Sequence, residues 1–219
     1  MNEHSFSRPS MQSAQPQNPD HDHRTAEILA SVRTAFAEKG FDGASMQDLA
    51  RAAGMSVGNF YRYFPSKADI VAQLIAHDLR QMEQDFQTAM ASPDPLQALR
   101  DQVRDRVTHH QSCNDGQLWA EITAVALRKP EIGTACLHME TAVSHYLTQA
   151  FAVVTGLSPE QTQARFAAHA TFIVLLVKSA AMMAPQQDQA RSDLNALILR
   201  TIDQTLDEIA SATLHAPKG

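Results

Sequence analysis

The chain has 219 residues, a formal net charge of −6 and 44% hydrophobic residues. That composition suits one or two globular domains with a sizeable core and argues against a general nucleic-acid coat protein. Two cysteines, Cys113 and Cys136, do not make a disulfide framework, and the apolar run Ile173 to Val177 falls short of a membrane span of ~20 residues.

Both cysteines fall in apolar helical patterns, so buried free thiols are expected. No charged segment followed by an apolar one opens the chain, which points to a cytoplasmic protein without membrane contact.

Residues 1–23 are polar and carry Pro9, Pro16 and Pro19, so the spacing predicts a disordered N-terminal tail. A first helix is expected from about Arg24 to Lys39, with Ile28, Leu29, Val32 and Phe36 at helical spacing and Gly40 as its stop. Phe41 should plug the small core that this helix forms with the next two.

The stretch Ser45–Lys67 reads SMQDLARAAGMSVGNFYRYFPSK. Ser45 with Asp48 three residues later has the form of a capping box, and Gly54 stands where a helix leaves through a left-handed residue. Ser56 caps a second short helix that runs through Phe60 and Tyr61 to Phe64, before Pro65. Ser66 caps a longer helix, again with an acid three residues on, Asp69, and this helix continues to about residue 91. Two short capped helices about a tight turn have helix-turn-helix spacing, in which the second helix is presented to a major groove.

Charge agrees with that reading. From Leu49 to Ala68 there are three basic residues, Arg51, Arg62 and Lys67, and no acid. Tyr61, Arg62, Tyr63 and Lys67 suit phosphate oxygens, and Ser56 and Asn59 suit phosphates or base edges. Gly58 would let the backbone approach closely. With Ser45, Gln47 and Val57, these residues form the expected contact set for double-stranded DNA. An ordinary helical hairpin with a tyrosine-rich core face has the same spacing.

The proline pair in Ser92-Pro93-Asp94-Pro95 marks a break, and the rest reads all-helical. One helix starts at Pro95, and another carries Leu118, Trp119, Ile122 and Val125 and stops before Pro130. A third runs from about Glu131 to Gly156. Ser158-Pro159-Glu160-Gln161 opens a fourth, which reaches about Ala184, and a fifth covers about Asp188 to Ala210. The helix after Ser158 is apolar nearly all round between Phe166 and Met183, with Lys178 as its only charge, so it should be buried on several sides.

No P-loop, GxGxxG, GxSxG or HExxH pattern occurs. His109, His110 and Cys113 come near ligand spacing, as do His138 and His145, but a tight metal site needs more converging ligands; no metal and no cofactor are expected. A small-molecule site, if present, would be mainly apolar with a few polar groups. Phe86, Trp119, Met139, Tyr146 and Phe172 could supply the apolar part, and His110, Glu121 and His145 the polar part. Such side chains equally serve as core and as solvated surface. Two function classes stay open: a DNA-binding regulator, and a helical enzyme or protein-binding module with a fortuitous helix-turn-helix.

The stretch from about Thr25 to Ala76 resembles the DNA-binding domain of the tetracycline-repressor-like (TetR) family of bacterial transcription regulators. The matching residues are Ala35 and Phe36 before Gly40-Phe41, then Ser45-Met46-Gln47-Asp48-Leu49-Ala50 and Ala53-Gly54-Met55-Ser56. The family phrase LYxHFxxKxxL stands here as Phe60-Tyr61-Arg62-Tyr63-Phe64-Pro65-Ser66-Lys67-Ala68-Asp69-Ile70. Tyr63 stands where His is frequent, and Asn59 where Ser or Thr is frequent.

The resemblance implies an all-α fold. A three-helix helix-turn-helix domain would occupy residues 24–76, a helical ligand-binding and dimerisation domain residues 92–212, and a short tail residues 213–219. It implies a homodimer whose last two helices pair with their two-fold mates. On that reading Phe166, Ala170, Val174, Leu194, Ile198, Ile202 and Leu206 form the seam. It further implies a repressor that a small-molecule effector, held between the fourth and eighth helices, releases from operator DNA.

Overall fold

The computed structural model describes residues 19–109, 115–183 and 189–212. Every regular element among them is a helix: α1 Pro19–Lys39, α2 Met46–Ala52, α3 Val57–Tyr63, α4 Lys67–Met90, α5 Pro95–His109, α6 Asp115–Ala126, α7 Pro130–Thr155, α8 Pro159–Met182 and α9 Gln189–Ser211. His110 and Cys113 lie outside the described residues, as do the outer parts of the two expected tails. The expected first tail is shorter at its inner end, because α1 already starts at Pro19. Proline fits a first helical turn, where its missing N–H has no partner to lose.

The caps read from the sequence are present. Ser45 and Asp48 form a reciprocal capping box, as do Ser158 and Gln161. The Ser66 hydroxyl accepts from the Asp69 amide at 3.2 Å. Gly54 leaves α2 at φ +65°, a conformation that any side chain with a Cβ adopts at a cost.

Two apolar clusters make up the core, and their division falls inside the second half of the sequence. The first joins α1 to α4 around Phe36, Phe41, Leu49, Phe60, Phe64 and Leu74, and it also takes in Leu118, Ile122 and Val125 of α6 and Ile132 of α7. The second joins α5, the C-terminal part of α7, α8 and α9 around Leu99, Val107, Phe151, Phe166, Ile173, Ile202 and Leu206. Helix α7 packs on α4, α6 and α8, so it links both clusters.

Helix α8 is buried on one side only. Phe166, Ala170, Ile173 and Ala180 face the core, whereas Phe172 and Leu175 are exposed. Contrary to the sequence reading, this helix is long and apolar enough to cross a membrane by length and composition, with a mean hydropathy of 1.3. It packs against α5, α6, α7 and α9 on one side, and 22% of its apolar stretch is buried there.

The seam assigned from the sequence needs correction. Phe166, Ala170, Ile198, Ile202 and Leu206 are at most 7% exposed within the single chain, because α8 and α9 turn these residues toward α5 and α7. They have almost no surface left to offer a second copy. Val174 is half-buried and packs on the same core. Of the seven, only Leu194 is exposed, at 39%.

Ile202 therefore tests the core. Ile202→Ala should destabilise the chain by about 2–5 kcal/mol, read from the midpoint of urea unfolding. A change under about 0.5 kcal/mol, as expected of a surface position, would place this residue outside the core.

Candidate functional site

Helix α3 presents one face inward and the rest outward. Phe60 and Phe64, four residues apart, are 0% and 1% exposed, with their rings tilted against each other at 5.2 Å between centroids. Val57, Gly58, Asn59, Tyr61 and Arg62 are all exposed. Gln47 and Arg51 of α2 are exposed as well, so α2 and α3 together offer a polar surface with the guanidinium groups of Arg51 and Arg62 at its margins. Arg51 makes only a loose 3.6 Å contact with Asp48.

Gly58 has open space where a Cβ would stand. Its lack of a side chain is thus not imposed by packing within the chain, although glycine weakens a helix interior.

Other members of the expected contact set are partly committed. The Ser45 hydroxyl sits on the Asp48 carboxylate at 2.5 Å, and the Ser56 hydroxyl accepts from the Asn59 amide at 3.3 Å. Asp48 also accepts from Lys39 at 2.6 Å. The Lys39 hydrogen bond first, then those from Ser45, hold its carboxyl far below the usual carboxylate range. Tyr63 is half-buried, with its ring against Phe64 at 6.2 Å.

Lys67 departs most from expectation. Its ammonium reaches back to the turn between α1 and α2, donating to the Phe41 carbonyl at 2.7 Å and the Asp42 carbonyl at 3.2 Å. It also lies 5.2 Å from the centroid of the Phe41 ring, and Lys129 lies 5.0 Å from the same centroid. Burial pushes the Lys67 pKa down, against the pull of Asp42. The lysine read as a phosphate contact thus holds a structural position.

The same turn is gripped by the chain between α6 and α7. Arg128 and Lys129 reach the Asp42 carboxylate at 3.3 and 3.2 Å, and the hydrogen bond from Lys129 is the main cause that holds Asp42 below its ordinary pKa. Glu121 of α6 is here too, rather than in a cavity: its carboxylate lies beside Gly40, 3.3 Å from where a Cβ would stand. Gly40 has φ +72°, so it turns the chain here and leaves room for that carboxylate.

A cavity of about 260 Å³ lies among α4, α5, α6, α7 and α8. Phe86, Trp119 and Met139 line it, as the sequence reading expected of a small-molecule site. Tyr146 stands behind Phe86, ring centroids 5.7 Å apart, and does not reach the space. His145 is exposed on α7 and bonded to Gln149 at 3.0 Å. Phe172 is 41% exposed on the outside of α8.

Sequence reasoning missed the cavity's polar lining. Asp78, Gln81 and Asp85 come from α4, Gln102 and Arg106 from α5, Cys136 and Glu140 from α7, and Lys178 from α8. Arg106 bonds Asp85 at 2.9 Å and Lys178 bonds Glu140 at 2.5 Å. Asp78, Gln81 and Asp85 recur at helical spacing, which was a usable signal; their partners lie on other helices. Cys136 is a free, half-buried thiol, and burial raises its pKa. Among the described residues no three His, Cys, Asp or Glu side chains converge as metal ligands.

Residues 28–74, which hold the helix-turn-helix just described, match the model of bacterial regulatory proteins of the tetR family. That stretch is similar to the family over about a fifth of the chain. The chain is 38% identical over 84 residues to the HTH-type transcriptional regulator EthR of Mycolicibacterium smegmatis, covering 37% of this chain and 39% of that one. It is 23% identical over 126 residues to the HTH-type transcriptional regulator UidR of Escherichia coli K12, covering 56% and 61%. The matches thus span less than two thirds of these relatives' own length.

Among solved structures, Salmonella enterica GusR superposes with a TM-score of 0.66 at 18% identity, over 86% of this chain and 96% of that one. A tetR-family regulator from Rhodococcus sp. does so at 0.67 and 18%, over 84% and 99%. At such identity the likeness is one of fold, and it extends over both halves of the chain.

Lys67→Ala should cost about 1 kcal/mol, since it leaves two carbonyls of a partly exposed turn without their charged donor. The loss should appear in urea unfolding with no DNA present. An unchanged midpoint would mean that the lysine is not needed to hold the turn.

Proposed function

We propose that this chain is a homodimeric DNA-binding transcription regulator, a repressor that a small, mainly apolar effector releases from its operator. The observation that carries the reading is the α3 surface. Five of its seven residues are exposed, including an apolar Val57, an amide at Asn59 and a guanidinium at Arg62. Around them Phe60 and Phe64 lock the helix to the core. An apolar side chain suits a thymine methyl, an amide suits an adenine edge, and a guanidinium suits guanine or phosphate. Gly58, which nothing in the chain requires to be small, would bring the helix backbone close to the duplex. The curated relatives named above are described as HTH-type transcriptional regulators, which supports the same reading.

A second copy suits the outer face of α8 and α9. Phe172, Leu175, Leu194 and Leu197 are between 39% and 57% exposed and are spaced by three residues on each helix. Apolar side chains grouped in this way mark an association surface. Such a dimer would set two reading helices one DNA turn apart, about 34–36 Å. An effector in the cavity touches α4 along Asp78, Met82 and Phe86, and α4 begins where α3 ends. A tilt of α4 would change the spacing of the reading heads, and the operator would weaken effector binding by the same factor.

Retardation of DNA from upstream of the chain's own gene, in excess competitor DNA, tests this function. Sequence-specific retardation is expected, and Asn59→Ala should cost about 1–3 kcal/mol and relax the base preference at one position per half-site. Binding that ignores sequence would instead favour the protein-module reading.

The assembly is tested by Leu197→Asp. The variant should remain folded, because this position is exposed, yet sediment as a monomer and lose operator affinity. A dimer unchanged at micromolar concentration would place the interface elsewhere.

A further inference from the structure

The cavity wall is unbalanced in charge. Asp78, Asp85 and Glu140 line it against Arg106 and Lys178. Two of the carboxylates are paired from within the wall, Asp85 by Arg106 and Glu140 by Lys178. The third, Asp78, is paired with Arg33. Arg33 does not line the cavity; it belongs to α1, on the DNA-reading side of the molecule. Both side chains of this pair are 18% exposed, so solvent screens it less than a surface ion pair.

Among the described residues, a molecule in the cavity therefore meets one carboxylate more than it meets cations, and that extra carboxylate is shared with α1. Trp119 and Phe86 offer aromatic faces in the same space, and such faces attract cations. An anionic guest would have to take Arg106 or Lys178 from its partner and would then face the carboxylate of Asp85 or Glu140 that this cation had balanced. A cationic guest exchanges with Arg33 at Asp78, and a long arginine side chain can carry its charge toward water.

We infer that the cavity takes an apolar molecule bearing one cationic group, and that this cation displaces Arg33 from Asp78, so that occupancy of the cavity loosens α1 from α4. The inference rests on the reading of the chain as an effector-released DNA regulator. A neutral guest of the same shape fills the space but leaves the bridge closed.

The test uses the full-length protein and two probes of one shape, benzyltrimethylammonium and its uncharged carbon isostere neopentylbenzene. Trp119 is the only tryptophan and lines the cavity, so its emission reports occupancy. The cation should bind at least about tenfold more tightly than the isostere. Arg33→Gln, which vacates Asp78 in advance, should tighten the cation further and leave the isostere unchanged. Asp78→Asn should reduce the cation to the level of the isostere. A bridge with only a structural role would make both variants bind more weakly alike, and that result overturns the inference. So does equal affinity for the two probes, or no response of Trp119 to either.

If Asp78→Asn does not fold, Arg33→Gln decides alone. Without probe, Arg33→Gln should already hold the upstream DNA fragment more weakly than the parent; unchanged affinity overturns the coupling. Failure of the parent protein to retard that fragment would instead count against the regulator reading, while the fluorescence arms still judge the ligand class.

Discussion

The placement of the reading helix depends on one turn that both halves of the molecule grip. Phe41 is buried in the first core cluster, which fixes the turn between α1 and α2 from within. Lys67, at the start of α4, takes the carbonyls of this turn, and Lys129, at the start of α7, takes the carboxylate of Asp42. Both ammonium groups lie over the Phe41 ring. A buried aromatic ring and two cations on its face make a junction with little freedom to shear, since each cation is also tied by hydrogen bonds. The segment between α6 and α7 therefore holds the same turn that sets α1 against α2 and α3.

The junction explains why the first core cluster does not end where the helix-turn-helix ends. Leu118, Ile122 and Val125 of α6 pack into it beside Ile28, Leu29 and Phe36. Helices α2 and α3 are too short to bury a full core alone, with seven residues each. A core built from α1 to α4 gains apolar area by borrowing α6. The same borrowing gives the cavity a mechanical route to the reading surface, because α4 and α6 both line the cavity and both belong to the first cluster.

Charge in the cavity is arranged differently from charge at the junction. Around the turn the ion pairs are largely exposed and screened, and their effect is positional. Within the cavity wall each carboxylate has a basic partner on another helix: α5 for Asp85, α8 for Glu140 and α1 for Asp78. Such pairs tie the bundle's elements to one another around an apolar space. They also make the cavity responsive, since a guest that alters one pair alters the relation between two helices.

The local signals in the sequence were enough for the helices of the reading domain and their caps. Ser45-x-x-Asp48, Ser56, Gly54 and Ser158-Pro159 act through hydrogen bonds and backbone conformations within a few residues, so their outcome does not depend on distant parts of the chain. The exposed set on α3 was legible for the same reason, because Phe60 and Phe64 fix which side faces inward. What an apolar helix packs against was not legible. On α8 and α9 the core face and the outer face are both rich in Leu, Ile, Val and Phe, so periodicity could not tell Ile202 from Leu197 or Phe166 from Phe172; only the packing of α5 and α7 on one side decided it. Lys67 looked like a phosphate contact until the fold brought the Phe41 carbonyl to it. The polar lining of the cavity was likewise decided by tertiary structure, because Arg33 and Asp78 are 45 residues apart in the chain, and electrostatic pairs at that separation leave no pattern in the sequence.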